Sequence, residues 1–180
     1  MSRKNNLPLP IMSTSDNPET ARLQVDVGQT GFWEGREFRF ERQISAPIVF
    51  KFDAPIDFIL QGQTLESHDG TATLAVYLAS QGTVGGTFDS PVSVINNNIM
   101  SDTPSYTGQI QISTGGTFTP SDSDPNFARE YIKARAASST SQRSTVGGNA
   151  VPERGLPAGE YYLVFTGTDA SYRLLYEERP

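Results

Sequence analysis

The chain has no cysteine, one histidine and, across residues 52–128, neither lysine nor arginine. Without cysteine there is no disulfide framework, zinc knuckle, iron–sulfur cluster or thiol nucleophile, and the redox compartment stays open. With His68 as its sole histidine the chain has no His-rich catalytic or metal site. A serine–histidine–acid arrangement would have to use His68, and no serine sits in a G-x-S-x-G elbow. No run approaches the roughly 18 apolar residues of a membrane helix. The opening MSRKNNLPLPIM is interrupted by Pro8 and Pro10, and no apolar stretch of signal-peptide length follows, so export by that route is not expected. The chain reads as soluble and made in a cytoplasm.

Charge is distributed unevenly. The 180 residues carry 14 Lys/Arg against 20 Asp/Glu, a net −6. Residues 1–51 contain seven basic and six acidic residues, residues 129–180 the same, and residues 52–128 eight acidic residues and no basic ones. All the net charge therefore lies in the middle of the chain. Nucleic-acid affinity comes from basic patches that neutralise phosphates, so neither DNA nor RNA is an expected partner. Eleven of the 14 cations are arginines, the exceptions being Lys4, Lys51 and Lys133, which tilts the chain toward Arg-mediated contacts.

The length suits one domain, here residues 21–180, preceded by an extended arm over residues 1–20. The arm has prolines at 8, 10 and 18 and no periodicity; Leu7, Leu9 and Ile11 would let it dock on another surface, the alternative being a plain disordered terminus. From Arg22 onward the period is two. In Glu37-Phe38-Arg39-Phe40-Glu41-Arg42-Gln43-Ile44 aromatics alternate with charge, the pattern of a strand with one buried face. Further strands are expected over 48–52, 57–61, 71–78, 91–95, 108–113, 130–136, 160–166 and 172–177, with His68-Asp69-Gly70 as a turn. Asp124–Ala137 could be drawn as a helix capped by Asp124 with Pro125 at its first position, but the alternation of Tyr131, Lys133 and Arg135 with Ile132, Ala134 and Ala136 favours a strand. Gly-Gly pairs at 85–86, 115–116 and 147–148 fall between strands. Many short strands, frequent turns and few helices predict an all-β, antiparallel β-sandwich or barrel. Residues 79–107 read as long connections around one short strand, and residues 137–158 as a polar loop of a length that is often functional.

Chemistry-bearing motifs are few. Asp122-Ser123-Asp124 lacks the third ligand, glycine and distal glutamate of a calcium loop. No Gly-rich turn leads into a helix carrying lysine, so no phosphate cradle is present. Paired carboxylates for glycoside hydrolysis are open to any chain with 20 acids, but the aromatics that would line a sugar cleft occupy strand positions where packing is the default. The expectation is a non-enzymatic protein without cofactor or metal. Binding surfaces remain. Trp33, the sole tryptophan, lies in Gly31-Phe32-Trp33-Glu34-Gly35-Arg36 and reads first as a core plug and second as an interface anchor. Arg36, Arg39 and Arg42 are positioned to meet the acidic 52–128 block of this chain or of a neighbour, or to form a solvated strand face.

Certain blocks carry a resemblance. VDVGQTGFWEGREFR (25–39), GGTFDSPVSVINNN (85–98), PSYTGQIQISTGGT (104–117), STVGGNAVPERGLPAGEYYLVFTG (144–167) and YRLLYEE (172–178) together resemble small structural proteins of tailed bacteriophages, over most of residues 23–178. The resemblance implies a jelly-roll-like sandwich that assembles as an oligomer, a trimer being favoured, on the virion. Its partner would be the major capsid protein or another virion protein, and its role capsid decoration. A collar or tail-fibre position with receptor or glycan binding is next, since the LPAGEYYLVF…YRLLY ending also looks like the last hairpin of secreted carbohydrate-binding sandwiches.

Overall fold

A computed structural model describes residues 30–98, 106–136 and 154–180. The expected arm, with Leu7, Leu9 and Ile11, and most of the polar loop at 137–158 lie outside the described residues. The fold is an antiparallel all-β sandwich, as the period-two pattern predicts. A four-residue helical turn, α1 (Thr30–Trp33), leads into β1 (Glu37–Ile44), β2 (Ile48–Ala54), β3 (Asp57–Ser67) and β4 (Thr71–Leu78). Short strands follow: β5 (Gly82–Gly85), β6 (Ile95–Asn96), β7 (Gln111–Thr114) and β8 (Thr117–Pro120). The chain ends with β9 (Glu130–Arg135), β10 (Arg154–Leu156), β11 (Gly159–Thr166) and β12 (Ala170–Arg179).

One sheet runs β10-β3-β12-β1-β6 and will be called the front sheet; the back sheet runs β7-β2-β11-β4-β9. Pairing is nested. β1 pairs with β12, β2 with β11, β3 with β10 and β4 with β9, so the first four long strands are matched in reverse order by the last four. The alternation places Phe38 across from Tyr176 and Phe40 across from Leu174, all four turned into the space between the sheets. Phe50, Phe52, Phe58, Tyr161, Phe165 and Tyr172 fill the same layer, and the rings of Phe50 and Phe165 meet edge to face at 5.4 Å. Burying each such side chain contributes on the order of 1.5–3 kcal/mol, which is why this aromatic layer dominates the core.

His68-Asp69-Gly70 forms a turn, but one that carries the chain from the front sheet to the back sheet, since β3 and β4 belong to different sheets. Gly70 adopts a φ of +65°, a left-handed conformation that an L side chain resists. His68 Nε2 lies 3.1 Å from Ser171 Oγ, which gives the lone histidine a place at this corner. Asp124 caps a 3-10 turn over Pro125–Phe127 by accepting from the Asn126 N–H, and a strand then follows at Glu130. Here the capping residues of a helix serve a single turn only.

A small third layer was not foreseen. β5 and β8 pair with each other and lie over the outer face of the back sheet. There Phe118 stacks on Tyr162 at 4.7 Å and on Tyr77 at 5.4 Å. The expected strand at 91–95 reduces to an isolated bridge, Val92 with Ile112, and the two residues of β6. Residues 79–98 thus contribute β5 and β6 rather than one short strand.

Candidate docking surface

The C-terminal end of β12 gathers the densest polar cluster. Glu177 and Glu178 point to opposite faces of the strand, as successive residues must. Both are buried, at 2% and 0% exposure. Glu178 accepts from Tyr106 Oη at 2.8 Å, from the Gln109 N–H at 2.9 Å and from the Ile110 N–H at 2.9 Å, so one carboxylate fastens the 106–110 segment to the front sheet. On the other face, Glu177 pairs with Arg36 at 3.4 Å and Arg179 at 3.2 Å, while Gln61 Nε2 donates to Glu37 at 3.1 Å and to Glu177 at 3.4 Å.

Arg36 ties the entrance of β1 to this cluster. Its guanidinium pairs with Glu34 at 2.6 Å and donates to the Glu178 main-chain carbonyl at 3.1 Å. The Arg36 N–H bonds the Gly31 carbonyl at 2.7 Å and the Gly35 N–H the Phe32 carbonyl at 3.1 Å, closing a tight loop around α1. Trp33 sits on that loop 62% exposed, with Phe32 edge-on to it at 5.1 Å. The core-plug reading of Trp33 is therefore overturned. The flanking glycines do not let the ring sink inward; Gly31 packs against the Glu177 side chain where no Cβ would fit, and this holds the turn on the sheet surface with the indole outward. Ile95, at 45% exposure, lies on the same sheet edge, because β6 pairs there with β1 and the Asn98 amide donates to the Trp33 carbonyl.

Outward residues of the front sheet fall into rows set by register. Glu41, Arg173 and Thr64 form one row, and Gln43, Ser171 and Glu66 the next. Arg173 pairs with Glu41 at 2.6 Å and Arg39 with Glu41 at 3.5 Å. A shallow polar cavity of about 340 Å³ opens on these rows. Gly62, next along β3, leaves open space where a side chain would stand. The outer face of the back sheet is treated differently, since the β5–β8 layer covers part of it.

The structure brings three of the sequence-predicted residues together on the front sheet: Trp33 and Arg36 at the β1 entrance, and Arg39 on the outer face. Arg42 stands across from Tyr172, exposed, at the far end of β1. The expectation that these arginines meet the acidic 52–128 block of the same chain is not what is found: Arg36 and Arg39 pair with Glu34, Glu177 and Glu41. Among the described residues the ion pair into that block comes from Lys51, with Asp53 at 3.5 Å, and Lys51 also meets Glu160 at 2.5 Å. Sequence reasoning missed Glu177, Glu178 and Ile95. A run such as Glu177-Glu178-Arg179 reads as a solvated strand end, and only the distant donors at 36 and 106–110 explain its burial.

Among the described residues no group of three or more acidic or histidine side chains is arranged to hold a metal ion. The large exposed apolar residues there are Trp33, Val84, Ile95 and Tyr131. Trp33 is on the loop before the front sheet and Tyr131 on the back sheet, so the two exposed aromatics do not share a cleft. No helix among the described residues is long and apolar enough to cross a membrane. Comparison with protein-family models, with curated proteins and with solved structures finds no match to this chain.

Proposed function

We propose that this chain is a non-enzymatic structural protein of a tailed-bacteriophage virion, which binds the capsid and stabilises or decorates it as a homo-oligomer, a trimer being favoured. The observation that carries this reading is the exposed Trp33, at the edge of a charge-patterned sheet face that no other described element covers, on the same edge as Ile95 and Arg39. Tryptophan and arginine anchors presented on a rigid support, with polar surroundings, are the composition of a protein-binding hot spot. The arginine-bearing front face suits an acidic surface on a capsid protein or a sibling subunit.

Strand order adds support. Taking β1-β12-β3-β10 against β2-β11-β4-β9, the nested pairing reads as a jelly roll, an architecture used by viral capsid and lectin domains alike. Fold alone does not choose between those two uses. The separation of the exposed aromatics favours the structural role over a glycan-binding fibre module, which needs stacked rings in one groove. Glu41, one of the two acids lining the polar cavity, is engaged by Arg173 and Arg39.

Size-exclusion chromatography with light scattering tests the assembly: a trimer is expected, and a monomer at all concentrations contradicts the oligomeric part. Sedimentation of the purified chain with capsids that lack it tests the docking; no co-sedimentation contradicts it.

A further inference from the structure

The back sheet ends in an edge strand of unusual composition. β9 is terminal in the order β7-β2-β11-β4-β9 and pairs on one side with β4. Its inward residues are Glu130, Ile132 and Ala134, the last fully buried. Its outward residues are Tyr131, Lys133 and Arg135, all exposed, with Arg129 exposed immediately before the strand. None of these three cations forms an ion pair with a described residue, whereas Arg36, Lys51 and Arg173 all do. The strand begins the second Arg-bearing segment of the chain, directly after the block that has no cation at all.

Backbone direction matters as much as charge. The Ala136 N–H bonds the Gly70 carbonyl, and Ala134 and Ile132 are opposite Ala72 and Leu74 in the same register. In an antiparallel ladder, residues alternate between bonding the partner and facing away from it. The even-numbered residues therefore bond β4, and the N–H and C=O groups of Tyr131, Lys133 and Arg135 face the side of the sheet on which no described strand pairs. Two of these three residues, Lys133 and Arg135, are also the ones whose side chains carry positive charge.

We propose that β9 is a docking edge for an extended acidic segment of a partner protein, which adds to the back sheet as a further strand. Each alternate residue of an added strand stands about 4.5–5.5 Å, Cβ to Cβ, from its opposite number. A segment with an acidic residue at every second position would meet Lys133 and Arg135 directly, and a neighbouring residue would cover Tyr131. Main-chain hydrogen bonds supply affinity and the charges supply register and selectivity, the division of labour in strand addition. Edge cations alone can act to keep edges apart. Here they repel a second copy of the same edge and attract an edge of opposite charge, so one feature serves both ends.

The test uses the full chain and a fluorescent peptide of alternating glutamate and threonine, followed by anisotropy. Binding is expected, weakening with salt and falling about tenfold or more in the Lys133→Glu/Arg135→Glu double variant, whose substitutions sit on exposed side chains. Two further probes separate strand addition from charge attraction. A peptide of the same sequence with its glutamate main-chain nitrogens methylated cannot donate to the Lys133 and Arg135 carbonyls, and inorganic polyphosphate has no backbone at all; both are expected to bind at least tenfold more weakly. No binding of the glutamate–threonine peptide, equal binding of either control, an unaffected double variant, or pairing of β9 with β9 in a dimer would each overturn the proposal. None of these readouts depends on capsid binding, so the proposal and the virion reading can fail separately.

Discussion

Gly31 packs directly against the Glu177 side chain, with no space between them for a Cβ. This single close approach connects the turn that presents Trp33 to the buried end of β12. Gly31→Ala is expected to push α1 off the sheet or displace a carboxylate that is 2% exposed. Overpacking of this kind costs about 1–3 kcal/mol. Because Trp33 is the sole tryptophan, its fluorescence reports on the turn alone. A lower melting temperature with a shifted emission maximum is expected; an unchanged spectrum and melt would show that the turn does not depend on this contact.

Glu178 gathers three donors from the 106–110 segment. Glu178→Ala leaves the Gln109 and Ile110 N–H groups and the Tyr106 hydroxyl without their acceptor. Each buried donor stranded in this way costs about 1–3 kcal/mol. The variant should be among the most destabilising at any polar position, on the order of 3 kcal/mol or more by denaturant unfolding. Tyr106→Phe removes one bond to a charged acceptor and should cost about 1.5–3 kcal/mol. If the two variants were equally mild, the clamp would not be holding the segment.

Much of the sandwich is legible in the sequence because a half-buried strand writes its own period. Phe38/Phe40 in β1, Phe50/Phe52 in β2 and Tyr172/Leu174/Tyr176 in β12 recur at every second position, and each strand follows. The strands that escape notice are GTVG in β5, TFTP in β8 and RGL in β10. They are too short and too rich in glycine, proline and threonine to show a period, and they are strands only because a partner is there to pair with. The docking surface is less visible still. Trp33 is exposed on account of Gly31 and Arg36 acting across the chain on Glu177 and Glu178, a relation between residues some 140 positions apart. The basic face of β9, by contrast, is written in the same alternation that identifies the strand.

Alkaline pH should unfold the protein cooperatively. Burial raises the pKa of Tyr77, Tyr106, Tyr161, Tyr162, Tyr172 and Tyr176 above the ordinary value of 10.0. In the unfolded chain these phenols ionise near pH 10, while in the folded chain they hold their protons to higher pH. Their stabilising contribution is complete below the unfolded value and is lost as pH rises beyond it. Absorbance at 295 nm should therefore rise steeply together with loss of the near-ultraviolet circular dichroism signal. A gradual titration of all the tyrosines around pH 10 with the fold intact would contradict the buried aromatic layer.

At acid pH the Lys51–Glu160 pair gives a smaller effect of opposite sign. The hydrogen bond from Lys51 lowers the Glu160 pKa below its ordinary 4.5, so the stabilisation is present above that value and is lost as pH falls through the lowered one. With side chains 22% and 42% exposed, the pair is screened by solvent and contributes about 0.2–1 kcal/mol. Glu160→Gln should thus cost less than about 1 kcal/mol at neutral pH and nothing measurable once the carboxylate is protonated. A constant difference across that range would assign the effect to packing against Tyr162 instead.

The docking reading makes the most direct demand on Trp33, Arg39 and Arg173, which are exposed or half-buried and whose substitution leaves the core untouched. In a capsid co-sedimentation assay, Trp33→Ala and the Arg39→Ala/Arg173→Ala double variant should keep a cooperative thermal unfolding transition, since each partly exposed pair with Glu41 contributes only about 0.2–1 kcal/mol, and lose capsid binding about tenfold or more, as expected for hot-spot residues.

The decisive measurement is an electron cryomicroscopy map of native virions carrying this chain. The expected result is ordered density for the sandwich on the particle, its front sheet and Trp33 in contact with a capsid protein or a sibling subunit. A map in which the chain is absent from the particle, or is present with the front sheet turned to solvent and the indole touching nothing, would contradict the central claim.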